Sequence, residues 1–157
     1  MLPKRKIIRL KHYDYSRNGI YFITICTKNK KHLFGKINNE KMELNTIGKT
    51  AEKCWIEIPK HYPNIKTHEY IIMPNHIHSM IEITGIAAGG KYSATTLGNI
   101  VKGFKIGVTK WCKDNTKIAE VWQRGYYEHI IQDEKEYWNG IEYILNNPEN
   151  WHKDKYN

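Results

Sequence analysis

His76 and His78, two residues apart in the run Tyr70-Ile-Ile-Met-Pro-Asn-His-Ile-His-Ser79, form the pair in this chain best suited to grip a metal ion. Their aliphatic neighbours predict an extended segment, in which residues two apart share a face and two imidazoles can close on one cation. Tyr143 and Asn147 lie further along, one helical turn apart, so a helix there would present a phenol hydroxyl beside an amide oxygen. Phosphodiester chemistry has a use for this set. A divalent ion held by two imidazoles and an amide keeps coordination positions open, offsets charge on a phosphate oxygen and orients phosphorus for in-line attack. A phenol with an ordinary pKa of ~10 is barely ionised at neutral pH, so it needs a cation or a base to become a nucleophile. Once joined to phosphate it is also a tolerable leaving group, which makes the step reversible.

Two other enzyme classes use alternating histidines. His76-x-His78 followed by Glu82 matches the first metal motif of cupins, but no later histidine sits in the glycine and proline setting of their second motif. Histidine-triad nucleotidyl hydrolases need a third alternating histidine, and Ser79-Met80 follows His78 instead.

These residues need elements to carry them. The β-branched and aromatic run Ile20 to Cys26 reads as a buried strand, and Phe34 to Ile37 with Lys41 to Leu44 reads as a short hairpin around Asn38-Asn39-Glu40. Thr46 caps a predicted helix towards Tyr62, ended by Pro63-Asn64. Strands follow at Thr67 to Met73 and His76 to Ile83, with Pro74-Asn75 either a tight turn or an interruption of one longer strand. Gly85 to Ala94 is the most loop-like stretch and is expected to be mobile. Thr96 caps a helix to about Cys112 whose apolar arc runs from Leu97 through Phe104 to Val108, with Lys102, Lys105, Lys110 and Lys113 on the other side. After an extended piece, Val121 to Ile131, Asp133 opens a last helix that stops at Pro148. Tyr137, Trp138, Ile141, Ile144 and Leu145 share one arc of it and are expected to face the core, leaving Tyr143 outside.

At 157 residues the chain is expected to form a single domain. Its 25 Lys and Arg against 16 Asp and Glu give a net charge of +9, which favours polyanionic partners, nucleic acid first. Cys26, Cys54 and Cys112 are odd in number and form no C-x-x-C pair, so they encode neither a disulfide framework nor a zinc knuckle. No apolar run approaches the ~20 residues of a membrane span, and the basic start lacks the apolar stretch of a signal peptide. The expectation is a soluble, cytoplasmic protein with no membrane partner.

Four segments together resemble a known family. Gly19-Ile-Tyr-Phe-Ile-Thr-Ile25, Met73-Pro-Asn-His-Ile-His78, Val121-Trp-Gln-Arg-Gly-Tyr-Tyr-Glu-His129 and Tyr143-Ile-Leu-Asn-Asn-Pro148 look like the single-tyrosine HUH transposases, specifically the REP-associated tyrosine transposases, over residues 19 to 152. The resemblance implies a ferredoxin-like α+β fold, a central antiparallel sheet with helices packed on one face, following a basic N-terminal arm at 1 to 18. It implies cleavage and transfer of single-stranded DNA at hairpins through a transient 5′-phosphotyrosine, using Mg2+ or Mn2+, in a nucleoid-associated protein. Residue by residue, His76 and His78 match the HUH pair, Tyr143 the nucleophile and Asn147 the polar metal ligand. Lys4, Arg5, Lys6, Arg9, Lys102, Lys105, Lys110 and Arg124 are the expected DNA contacts. Both a monomer and a homodimer with exchanged tyrosines occur among such enzymes, and a domesticated relative that binds hairpins without cutting is the alternative to an active one.

Overall fold

The computed structural model describes residues 19–84, 96–154 and 156. The basic arm with Lys4, Arg5, Lys6 and Arg9, and the loop from Gly85 to Ala94, lie outside the described residues.

The main sheet has four strands: β1 (Gly19–Cys26), β4 (Ile65–Met73), β5 (His76–Ile83) and β6 (Tyr127–Ile130). Their spatial order is β4-β5-β1-β6, and every neighbouring pair is antiparallel. Between β1 and β4 run the hairpin β2 (Gly35–Asn38) and β3 (Lys41–Leu44), then α1 (Thr46–Ile56) and α2 (Ile58–His61). Between β5 and β6 runs α3 (Leu97–Asn115), and α4 (Glu134–Leu145) follows β6. Two strand-helix-strand units thus interleave in the ferredoxin-like α+β arrangement.

The period of two along β1 divides the sheet into faces with different tasks. Tyr21, Ile23 and Ile25 point to one side, where with Ile77, Ile81 and Ile83 of β5 they meet α1 and α3 in the main core. Trp55 of α1 is fully buried there, and its indole N–H donates to Ser79 Oγ at 3.1 Å, which satisfies two polar groups that burial would otherwise leave bare. Ile20, Phe22 and Thr24 point to the other side. The register pairs Thr24 with His78 and Phe22 with Met80, so both histidines belong to this second face.

Helix α4 covers part of that second face through a small cluster of Met80, Ile141 and Ile144. Sequence reading placed the helices on one face. That describes α1 and α3, whereas α4 sits opposite them, because the apolar second-face residues of β1 and β5 also need cover. Two residues expected in the core are exposed, Trp138 at 58% and Leu145 at 60%. The reason is the narrow contact of α4: Gly140 touches the sheet so closely that a Cβ there would stand 2.0 Å from Met80 Cε. A helix seated on so thin a stripe leaves the flanks of its apolar arc in solvent.

Local signals explain the boundaries. Asn45, rather than Thr46, caps α1 by accepting from Gly48 N at 2.9 Å. The expected helix to Tyr62 divides at Glu57 because Pro59 has no N–H to continue the ladder. Thr96 and Asp133 cap α3 and α4 as their side chains suggest, accepting from Asn99 N at 3.2 Å and Glu136 N at 2.8 Å. Pro74-Asn75 is a tight turn, since Met73 and His76 pair directly across it. Only Tyr127–Ile130 of the extended piece after Val121 joins the sheet, apart from one bridge between Thr27 and Trp122. Among the described residues no helix is long and apolar enough to cross a membrane.

Candidate metal centre and nucleophile

The turn that joins β4 to β5 sets up the first imidazole. Asn75 is buried, and its Nδ2 donates to the carbonyls of Tyr156 at 2.5 Å and Lys30 at 3.4 Å. That fixes Oδ1 towards His76 Nδ1, 2.7 Å away. A carbonyl oxygen only accepts, so Nδ1 carries the proton and Nε2 keeps its lone pair for a ligand. Thr24 Oγ1 lies 2.8 Å from His78 Nδ1 across the β1–β5 pairing and orients that ring, and a hydroxyl there can serve as donor or acceptor. The two rings lie 4.6 Å apart between centroids, both fully or almost fully buried.

A third group comes from beyond α4. Asp154 follows the single turn Trp151–Lys153, and its carboxylate approaches His76 Nε2 at 3.6 Å with the side chain nearly buried. One ligand atom each from His76, His78 and Asp154 lies within 4.8 Å of the other two. Two neutral imidazoles and a carboxylate are donors that divalent Mg, Mn, Fe and Zn all accept, so the residues present fit a divalent cation. Glu82 is not part of the set: its carboxylate takes the Nε2 of His68 at 2.7 Å, while His68 Nδ1 meets the Tyr137 hydroxyl at 2.9 Å. The cupin reading loses its third ligand to that pairing.

Tyr143 stands where the last helix passes the histidines. Its ring centroid lies 5.2 Å from that of His78 and 6.0 Å from that of Phe22, yet the residue is 43% exposed. The phenol is therefore held by packing on one side and open to a substrate on the other. Burial raises its pKa above the ordinary value, the Asp154 carboxylate raises it further, and the Asn147 side chain works the other way. A cation seated beside Asp154 would counter that second effect by neutralising the carboxylate's field.

Asn147 is buried, with Nδ2 facing the Tyr143 carbonyl at 3.4 Å, and its Oδ1 accepts no hydrogen bond among the described residues. Asn147, Tyr143 and Asp154 line one open hollow of about 710 Å3. The two tyrosines that follow Gly125 are differently placed: Tyr126 is buried in the main core, and Tyr127 lies on β6 opposite Thr24.

The expected DNA contacts divide as well. Lys102, Lys110 and Arg124 are exposed. Lys105 is not an open cation, because its ammonium donates to the carbonyls of Gln123 at 3.0 Å and Gly125 at 2.7 Å and so ties the segment before β6 to α3. Helix α3 itself packs on the sheet face opposite the histidines, so Lys102 and Lys110 are remote from Tyr143. Arg124 shares a hollow of about 520 Å3 with Lys28 and Lys30, and Glu120 pairs with the Lys28 ammonium there.

Sequence reasoning missed Asp154, Asn75 and Thr24. Asn75 and Thr24 could have been found, the first beside the motif and the second facing it once β1 and β5 are paired. Asp154 carries no such signal, since it lies in irregular chain after Pro148 where no periodicity says which way a side chain points.

No family profile matches the chain. It is 47% identical to an uncharacterized protein of Haemophilus influenzae, over 96% of this chain and 92% of that protein. It is 29% identical to a protein of the same organism described as a "Putative REP-associated tyrosine transposase", over 86% of this chain and 73% of that one. Among solved structures, a REP-associated tyrosine transposase bound to a REP hairpin shares the fold, with a TM-score of 0.66 at 19% identity, covering 94% of this chain and 76% of that one.

Proposed function

We propose, on the premise that this chain is a relative of REP-associated tyrosine transposases, that it is a metal-dependent endonuclease and strand transferase for single-stranded DNA at hairpins. The observation that supports this most is the placing of an accessible phenol, Tyr143, against a histidine of a three-ligand cluster. His76, His78 and Asp154 would hold Mg2+ or Mn2+, with Asn147 Oδ1 as a further donor. The bound cation would supply charge neutralisation at a non-bridging phosphate oxygen and would favour the phenolate. Asn75 keeps His76 in the tautomer that offers Nε2, and Thr24 orients the His78 ring. Phe22 and His78 hold the Tyr143 ring, so its Oη approaches phosphorus from the open side of α4. The Oη–P bond forms, the 3′ oxygen departs as a hydroxyl after taking a proton from water, and the phenol's own proton passes to solvent. A 5′-phosphotyrosine and a free 3′-hydroxyl result, and reversal with another 3′-hydroxyl joins strands.

One observation favours a second reading, a hairpin binder that does not cut. The Tyr156 ring lies 4.7 Å from that of His76 and 5.6 Å from that of His78, and thus covers part of the pair. A single assay separates the two: incubation with a labelled stem-loop oligonucleotide carrying a single-stranded flank, with Mn2+, followed by denaturing electrophoresis. The enzyme reading expects a denaturant-resistant protein–DNA band that Tyr143→Phe abolishes while hairpin binding stays intact. Binding without any band supports the second reading, and a band undiminished in Tyr143→Phe moves the nucleophile to another tyrosine such as Tyr127.

A further inference from the structure

The hollow beside Tyr143 has an uneven chemistry. Asn139 stands one turn before the tyrosine, Asn146 about one turn after it, and Asn150 a turn beyond that, all exposed and all lining the same space. Their side-chain amides make no hydrogen bond among the described residues. Lys153 is the cation of this lining, and Glu142 and Asp154 set two carboxylates against it. Such a surface has no excess of cations for gripping a phosphate backbone by charge alone and offers instead paired donors and acceptors. A base edge presents the same pairing. A side-chain amide matches one edge best, that of adenine, where N6–H donates and N7 accepts. Asn139 to Asn146 spans roughly 10 Å of helix, at 1.5 Å per residue, enough to run beside two or three nucleotides of a single strand.

We infer that the amides of Asn139, Asn146 and Asn150 read the bases flanking the scissile phosphate and select adenine there, which makes them specificity-determining residues for the proposed reaction. The inference rests on the reading of Tyr143 as the nucleophile, because that is what brings a strand through this hollow. Once the phosphate meets Tyr143, the neighbouring bases lie beside the asparagine stripe on α4 and its continuation. Selection then needs no cation at the base and comes from the two-point amide match.

The test uses full-length protein with Tyr143→Phe, so that binding is read without chemistry, and fluorescein-labelled single-stranded dodecamers of dA, dT and dC, together with a dodecamer of 7-deaza-dA. Anisotropy titrations are expected to show dA bound about tenfold more tightly than dT or dC, and 7-deaza-dA, which lacks the N7 acceptor, reduced to the level of dT. Adding Asn139→Ala, Asn146→Ala and Asn150→Ala should bring dA down to dT while leaving dT unchanged, which also reports that the protein still folds. Equal affinity for dA and 7-deaza-dA in the parent overturns the inference without any asparagine variant, and so does a preference for dA that survives all three substitutions. Failure of the two readings is distinguishable: a dA preference lost in the variants, with no covalent band from wild-type protein, removes the nuclease and keeps the base reader, whereas a covalent band with no amide-dependent preference does the reverse.

Discussion

At the scale of single residues, Asp154 does two jobs whose effects can be separated. It offers the cluster its carboxylate, and its charge helps to hold the Tyr143 phenol above the ordinary pKa. Asp154→Asn keeps the shape and removes the charge, so Mn2+ affinity measured by titration calorimetry should fall about tenfold or more. The Tyr143 phenol of the metal-free protein should at the same time titrate closer to the ordinary value. Unchanged Mn2+ affinity would remove Asp154 from the centre. The histidine pair and Tyr143 were legible because each sits in a regular element whose period gives its direction. Asp154 was illegible because the chain after Pro148 is irregular, and only long-range folding brings it back to β5. Tyr70 supplies a pH test away from the site. Burial and the hydrogen bond its hydroxyl makes to Glu52 push this phenol up to about 12. The folded value exceeds the unfolded one, so this contribution to stability is whole below about pH 10 and drains away as pH rises towards 12. Tyr70→Phe should flatten that part of the stability profile, read by denaturant unfolding at stepped pH.

At the scale of elements, α4 carries Tyr143 and is seated on the sheet by a narrow apolar stripe. Its hold on the sheet includes the Met80, Ile141 and Ile144 cluster, the chain of hydrogen bonds Tyr137–His68–Glu82 and the contact of His129 with Glu136. Gly140 lets the helix come close, since a Cβ there would also stand 3.3 Å from Phe22 Cδ2. Gly140→Val should lift α4, lower stability by roughly 1–3 kcal/mol and reduce covalent-adduct formation more than tenfold. An adduct rate equal to wild type in a folded Gly140→Val protein would show that the approach of α4 does not set the chemistry. Sequence patterning identified α4, its Asp133 cap and its end before Pro148, yet misplaced Trp138 and Leu145. An arc of apolar residues says which side of a helix is greasy, and how much of it is covered depends on the partner's shape. The division between α1 and α2 at Pro59 was legible in principle, because a proline inside a helical run is a breaking signal.

At the scale of the whole molecule, two of the lysines expected to contact DNA stand apart from the candidate metal centre. Lys102 and Lys110 are exposed on α3, behind the sheet as seen from the histidines. Substituting both by Gln should weaken hairpin binding evenly across sequences and reduce the salt slope of the binding constant by about one unit per lysine. Adduct formation at saturating DNA should not change. A loss of adduct at saturation would place α3 nearer the reacting strand than the fold does. The α+β class and the antiparallel sheet were legible from strand patterning and from the ordered segments that resemble the family. What patterning left open was which face each helix takes, because periodicity marks an apolar side without naming what will lie against it.

The alternation along β1 and β5 has a consequence for how this gene can change. Ile77, Ile81 and Ile83 fill the interior while His76, His78 and Met80 face the other side, so inserting one codon ahead of the pair would send imidazoles into oil and isoleucines out to the candidate metal centre. Stability and the histidine pair would be lost together in that single event. Substitutions, which leave the phase of the strand untouched, can alter either property alone. Length variation should therefore be confined to the loops, and descendants of this sequence should count the residues of these two strands without error.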